Sequence, residues 1–114
     1  MDAFENWIVQ VRKGVLELCI LNALAGRECY GYDLVRTLRE IPGLDVTEGT
    51  LYPLLSRLRV QGFVQTRLEE SSDGPARKYY SLTAQGRRNL GLMNAYLDQL
   101  VAGSRQIRAK DDAS

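Results

Sequence analysis

The stretch TEGTLYPLLSRLRVQG, residues 47–62, limits the fold of this chain more than any other segment. Leu51, Leu54, Leu55 and Leu58 recur at i, i+3, i+4 and i+7, which puts an apolar stripe along one face of a short helix. Thr47, Thr50, Ser56 and Arg57 fall on the opposite face with Tyr52 beside them, and these groups can bond phosphate oxygens or base edges. Pro53 is the awkward member. Inside a helix it removes a hydrogen bond and crowds the carbonyl of Gly49, and it biases Tyr52 away from helical geometry. Two readings stay open from the residues alone. The helix starts near Thr50 or Tyr52 with Pro53 in its first turn, or it presents an exposed end shaped to enter a groove. Thr47 offers an N-cap.

Ahead of this stretch, residues 4–25 read as one long helix, with a bend expected near Gly14 and Gly26 as its C-cap. Phe4, Trp7, Ile8, Val11, Val15, Leu18 and Cys19 follow three- and four-residue steps, and around Leu16, Ile20, Leu21 and Leu24 the apolar arc widens. Phe4 and Trp7 carry the stripe beyond what a core of this size needs. They suit either a satellite contact in the same subunit or an interface between subunits, where large aromatics concentrate. Residues 31–41 give a second helix with Tyr32, Leu34, Val35, Leu38 and Ile41 inward, Arg36 and Arg39 on a solvated face, and Pro42 and Gly43 as its stop. Helix, tight turn and helix is the order of a helix-turn-helix.

Behind it, residues 63–69 and 77–82 alternate as strands, and SSDGPA between them supplies a turn through Gly74 and Pro75. A β-hairpin directly after the polar-faced helix is the arrangement of a winged helix-turn-helix. Arg77 and Lys78 open the returning strand and suit phosphate contact, although Glu69, Glu70 and Asp73 offset their charge. From Thr83, a helix cap, Leu90, Met93, Leu97, Leu100 and Ile107 form a heptad seam interrupted at Ser104. A domain of 114 residues does not easily bury that seam alone, so dimerisation is its natural outlet.

Composition excludes more than it selects. Fifteen basic against fourteen acidic residues leave a net charge of +1, a small excess for a nucleic-acid binder, so any such case rests on where the charges sit. Histidine is absent and there are two cysteines, which leaves no zinc site of the usual kind. Cys19 reads as a small core residue and Cys29 as part of a connection, both reduced in a cytoplasm. Neither a secretory leader nor an apolar run of the ~18 residues needed for a membrane span is found. Without histidine, a phosphate-cradling glycine loop or a paired acid–base constellation, an enzyme is not expected.

The run EGTLYPLLSRLRVQGFV, then DGPARKYYSLTAQG, with KGVLELCILNALAGRECYGYDL ahead of both, resembles the PadR family of bacterial transcriptional regulators. The likeness spans roughly residues 13 to 90, and the combination of LYP, GPxRKYY and LTxxG in this order carries it. A single final helix places the chain with the shorter members.

The resemblance implies a mainly α chain with a small β-hairpin. Residues 1–82 would form a winged helix-turn-helix that includes the N-terminal helix, 83–110 a C-terminal dimerisation helix, and 111–114 a frayed tail. It implies a cytoplasmic homodimeric repressor, nucleoid-associated when bound to a pseudo-palindromic operator in double-stranded DNA. Groove contacts would come from Thr47, Glu48, Gly49, Thr50, Tyr52, Pro53, Ser56 and Arg57, and backbone contacts from Lys13, Gly74, Arg77 and Lys78. Tyr79 and Tyr80 would support the wing. The subunit interface would use Phe4, Trp7, Ile8, Leu90, Met93, Leu97, Leu100 and Ile107. A small hydrophobic or aromatic effector would sit among Trp7, Met93, Tyr96 and Leu97, unless the interface is filled by its own side chains. No cofactor or metal is implied. The competing expectation is a winged-helix module whose partner is another protein, which the low net charge would suit.

Overall fold

In the computed structural model, which describes residues 1–113 and side chains as far as Lys110, the elements follow in the order α1 (Ala3–Gly26), β1 (Cys29–Tyr30), α2 (Gly31–Arg39), α3 (Glu48–Val60), β2 (Val64–Ser71), β3 (Gly74–Leu82) and α4 (Ala84–Ala113). The fold is α-helical with a small antiparallel sheet of order β1-β3-β2. Its core is one cluster. Ile20, Leu21 and Leu24 of α1, Leu34 and Leu38 of α2, and Leu51, Leu55 and Leu58 of α3 are almost wholly removed from water, and Val64, Tyr80 and Leu82 close it from the sheet. Among the described residues, no helix is long and apolar enough to cross a membrane.

The ends of the helices differ from expectation in instructive ways. α1 keeps Gly26 inside the helix and is capped by Arg27 in an extended conformation, so glycine does not act as a left-handed stop. α2 ends at Arg39, which leaves Ile41 beyond it and 41% exposed; Tyr32 also faces water, with the Arg36 guanidinium 5.8 Å from its ring centre. The link to α3 is longer than a tight turn. It spans residues 40–47, passes through positive φ at Gly43 and Asp45, and is plugged into the core by Leu44 and Val46. Arg12 of α1 holds this link by donating to the Gly43 carbonyl at 2.9 Å and pairing with Asp45 at 3.5 Å, while Arg39 donates to the Val46 carbonyl at 3.0 Å.

The expected two-stranded hairpin is a three-stranded sheet. Cys29 and Tyr30, read from sequence as a connection, pair with Tyr80 and Tyr79 of β3. Cys29 is therefore buried, and burial raises the thiol pKa of both cysteines. The strands of the wing are longer than their alternation suggests, and its turn shrinks to Ser72 and Asp73. Pro75 fits inside β3 because β1 pairs only with Tyr79 and Tyr80, so its missing N–H breaks no ladder on that side. Leu68, in the outer half of β2, is 69% exposed.

α4 has 30 residues, about 45 Å of helix, and runs well past the body of the domain. It continues to Ala113, beyond residue 110 where the sequence reading places the start of a frayed tail; Ser114 lies outside the described residues. Leu90, expected on the subunit seam, is 6% exposed and belongs to the chain's own core. α4 is docked on α1 there, and Asn22 and Asn94 exchange two amide hydrogen bonds at 3.0 and 3.1 Å between the two helices.

Candidate nucleic-acid interface

α3 begins earlier than its proline suggests. Thr47 is the N-cap: its hydroxyl accepts from the Thr50 N–H at 3.3 Å, and its carbonyl accepts from the Leu51 N–H at 2.9 Å. Pro53 therefore neither starts the helix nor stands in its first turn; it lies inside it. The Gly49 carbonyl that loses its donor belongs to an exposed residue, so water can satisfy it. The far end closes as a Schellman turn. Phe63 N donates to the Leu58 carbonyl and Gly62 N to that of Arg59, each at 3.0 Å, with Gly62 at φ +86.

With Leu51, Leu55 and Leu58 buried, the helix presents Thr47, Glu48, Gly49, Thr50, Tyr52, Pro53, Ser56 and Arg57 to solvent. Hollows flank this face on both sides. On one side Lys13, Leu16 and Glu17 of α1 meet Gly49, Thr50, Pro53, Leu54 and Arg57 around a cleft of about 430 Å³. On the other, Tyr52 shares a hollow of about 320 Å³ with Tyr30, Gly31, Arg77, Lys78 and Tyr80. Lys13, Arg77 and Lys78 are thus brought up to the helix face, whereas Gly74 stays apart at the tip of the wing.

Two of these side chains are more engaged than a solvent-facing reading allows. The Tyr52 ring lies against Gly31, where an added Cβ would fall 2.2 Å from the phenol oxygen. Arg57 forms an ion pair with Glu17 of α1. Neither partner carries a sequence signal, because both contacts join residues distant in the chain.

The wing is stiffened by aromatic and cationic side chains in alternation. Tyr30 and Tyr79 meet edge to face at 5.7 Å, the Arg77 guanidinium lies 5.0 Å from the Tyr30 ring centre, and that of Arg67 lies 4.8 Å from Tyr79. Arg67 Nε also donates to both Glu28 carboxylate oxygens at 3.0 and 3.1 Å, which lowers the Glu28 pKa and raises that of Arg67. Burial raises the Tyr80 phenol pKa, with the nearby Tyr52 adding to the shift and Arg59 opposing it.

The opposite surface is apolar. Trp7, Val11, Val15 and Leu18 of α1 and Met93, Tyr96, Leu97, Leu100 and Val101 of α4 line a groove of about 540 Å³. It contains all four residues expected around an effector. Trp7, Tyr96, Leu100 and Ile107 are between 52% and 66% exposed, and Phe4 stacks on Trp7 at 6.4 Å. Of the expected interface residues, Ile8 is half-buried and packs near Gly43, away from that groove.

A helix-turn-helix followed by a hairpin that flanks the second helix defines the winged-helix class of transcriptional regulators. Residues 20–92 match the model of the transcriptional regulator PadR-like family, and the chain belongs to that family. A PadR-like transcription factor from Bacteroides fragilis is 41% identical, with 90% of this chain and 98% of that one covered and a TM-score of 0.76. A PadR family transcriptional regulator from Eggerthella lenta is 31% identical over 93% of this chain and 92% of its own, with a TM-score of 0.83. PadR of Bacillus subtilis, solved in complex with operator DNA, is 30% identical with a TM-score of 0.61; the match covers 68% of this chain and 45% of that one. The family consists of transcription factors, not enzymes.

Proposed function

We propose that this chain is a repressor that binds a pseudo-palindromic operator as a homodimer. The observation that carries the reading is the exposed polar face of α3, bordered by Lys13 on one side and by Arg77 and Lys78 on the other. In this reading Thr50, Tyr52, Ser56 and Arg57 enter the major groove with Thr47, Glu48, Gly49 and Pro53 at its edge. Lys13, Gly74, Arg77 and Lys78 hold the flanking phosphates. The operator complex of the Bacillus subtilis relative supports the choice of double-stranded DNA as partner.

The groove between α1 and α4 is the natural seat for a second copy. Phe4, Trp7, Met93, Leu97, Leu100 and Ile107 supply the apolar contacts, and pairing would set two recognition helices about 34 Å apart on successive major grooves. Two copies of Lys13, Arg57, Arg77 and Lys78 on one surface give a positive face although each chain carries only +1. The same groove falls within the size range of small-molecule sites, roughly 300–1,000 Å³. A small hydrophobic or aromatic effector among Trp7, Met93, Tyr96 and Leu97 would relieve repression by changing how the subunits pack.

The test is a mobility-shift titration of the purified protein against its own and neighbouring promoters, with sedimentation to fix the oligomeric state. Tyr52→Ala combined with Arg57→Ala should weaken binding by several kcal/mol and leave the dimer intact. Binding that survives the double substitution removes α3 from the groove. No preference for any palindrome at low salt favours a protein partner instead.

A further inference from the structure

We propose that Glu17 holds down the affinity of DNA binding, by pairing with Arg57 until a phosphate or base edge displaces its carboxylate. The proposal rests on the DNA-binding reading above.

The geometry is asymmetric. Glu17 sits on α1 between the buried Leu16 and Leu18, so its backbone is fixed to the core. Arg57 leaves an exposed turn of α3 on a long flexible side chain and reaches across to pair with it. When DNA arrives, Arg57 moves and Glu17 stays. Around the cleft between the two helices, Lys13 and Arg57 are the cations and Glu17 is the carboxylate. Glu17 thus occupies, within the folded chain, the place of the phosphate that Lys13 and Arg57 would otherwise bind.

Exchanging one carboxylate for one arbitrary phosphate gains little, since an exposed ion pair is lost as another is made. The cost of freeing Arg57 belongs to the unbound protein, so it lowers the affinity of every duplex that engages Arg57. A specific complex adds base contacts from Tyr52, Thr50 and Ser56, and a bidentate guanidinium contact that a carboxylate on α1 does not outcompete.

The test uses the full chain and two duplexes of equal length: one selected by the wild-type protein from a random-sequence pool, and one of unrelated sequence. Fluorescence anisotropy gives affinity and its salt dependence for wild type, Glu17→Gln, Glu17→Asp and the pair Glu17→Gln/Arg57→Ala. Glu17→Gln should bind both duplexes about threefold to tenfold tighter, with a log–log salt slope on the unrelated duplex steeper by about one per subunit. Glu17→Asp, which keeps the charge, should keep wild-type affinity, and the gain should vanish in the Arg57→Ala background. Unchanged affinity and slope for the unrelated duplex overturn the proposal. So does a matching loss on both duplexes, which would make Glu17 a support for Arg57 or for the fold. If wild-type protein selects no duplex at all, the DNA-binding reading fails, and that result is distinct from either outcome at Glu17.

Discussion

The Thr83 hydroxyl donates to the Gly62 carbonyl at 2.6 Å, and this bond fastens the end of α3 to the start of α4. Around it the chain is tied three more times. Thr83 Oγ1 accepts from Gly86 N at 2.9 Å, Thr83 N donates to the Phe63 carbonyl at 3.1 Å, and Arg87 N donates to the Thr83 carbonyl at 3.0 Å. One residue therefore caps α4, closes the wing and holds the Schellman turn of α3. The LTxxG segment has a physical meaning here: the threonine makes the knot and the glycine lets it close.

Gly86 is where this knot should be easiest to break. A Cβ at that position would fall 2.0 Å from the Phe63 carbonyl oxygen, and the obstacle is backbone. Gly86→Ala should cost about 3 kcal/mol, the upper end for overpacking, because neither helix can give way alone. Thr83→Val keeps the shape and loses the cap, at about 1 kcal/mol. Urea unfolding followed by circular dichroism measures both, and a Gly86→Ala midpoint equal to wild type would show that α4 does not approach Phe63 so closely.

Gly31 should act on Tyr52 in the same way, with a different result. The methyl of Gly31→Ala would displace the tip of a side chain, so the fold survives while the ring is pushed away from its seat. A stability loss of about 1 kcal/mol should accompany weaker operator binding. Tyr52→Phe, which keeps the ring in place, separates the two effects: it should preserve stability and reveal what the hydroxyl contributes to binding. Equal operator affinity for Gly31→Ala and wild type would show that the position of Tyr52 does not matter.

The parts of this molecule legible in sequence are those with local periodicity. The stripe of Leu51, Leu55 and Leu58, the wing after it and the cap at Thr83 all follow from neighbours a few residues apart. β1 escaped because two residues cannot show an alternation, and Tyr80, the partner of Cys29, lies far along the chain. The Glu17–Arg57 and Tyr52–Gly31 contacts are set by how α1 and α2 lie on α3, which no spacing reports. Pro53 left the start of α3 open because a proline is judged by the hydrogen bond it removes, and here the abandoned Gly49 carbonyl belongs to an exposed residue.

The wing should loosen in acid. The hydrogen bonds from Arg67 hold the Glu28 carboxyl below its ordinary value. Such a carboxyl binds fewer protons folded than unfolded, so its contribution is complete above the ordinary carboxylate range and disappears as pH falls through the lowered value. Arg67 also covers the Tyr79 ring, so the ring-proton shifts of Tyr79 should report this titration by nuclear magnetic resonance. In Glu28→Gln the acid inflection should be gone. An inflection that persists in Glu28→Gln would show that the Arg67–Glu28 pair is not its source.

Leu90 and Leu100 share one heptad pattern, and the structure gives them opposite surroundings. Leu90 is 6% exposed in the core, whereas Leu100 is 52% exposed on the apolar groove. A seam facing a partner and a seam facing the chain's own core have the same spacing, so sequence alone cannot divide them. Leu90→Ala should leave a cavity and cost about 2–4 kcal/mol. Leu100→Glu should leave the subunit folded, because its carboxylate points to water there, and should drive a dimer to monomers. Sedimentation and urea unfolding on the two variants give a crossed result if the groove is the subunit interface: Leu90→Ala loses stability, and Leu100→Glu loses association. Leu100→Glu sedimenting as wild type would move the interface elsewhere on the surface, leaving the groove free for another occupant.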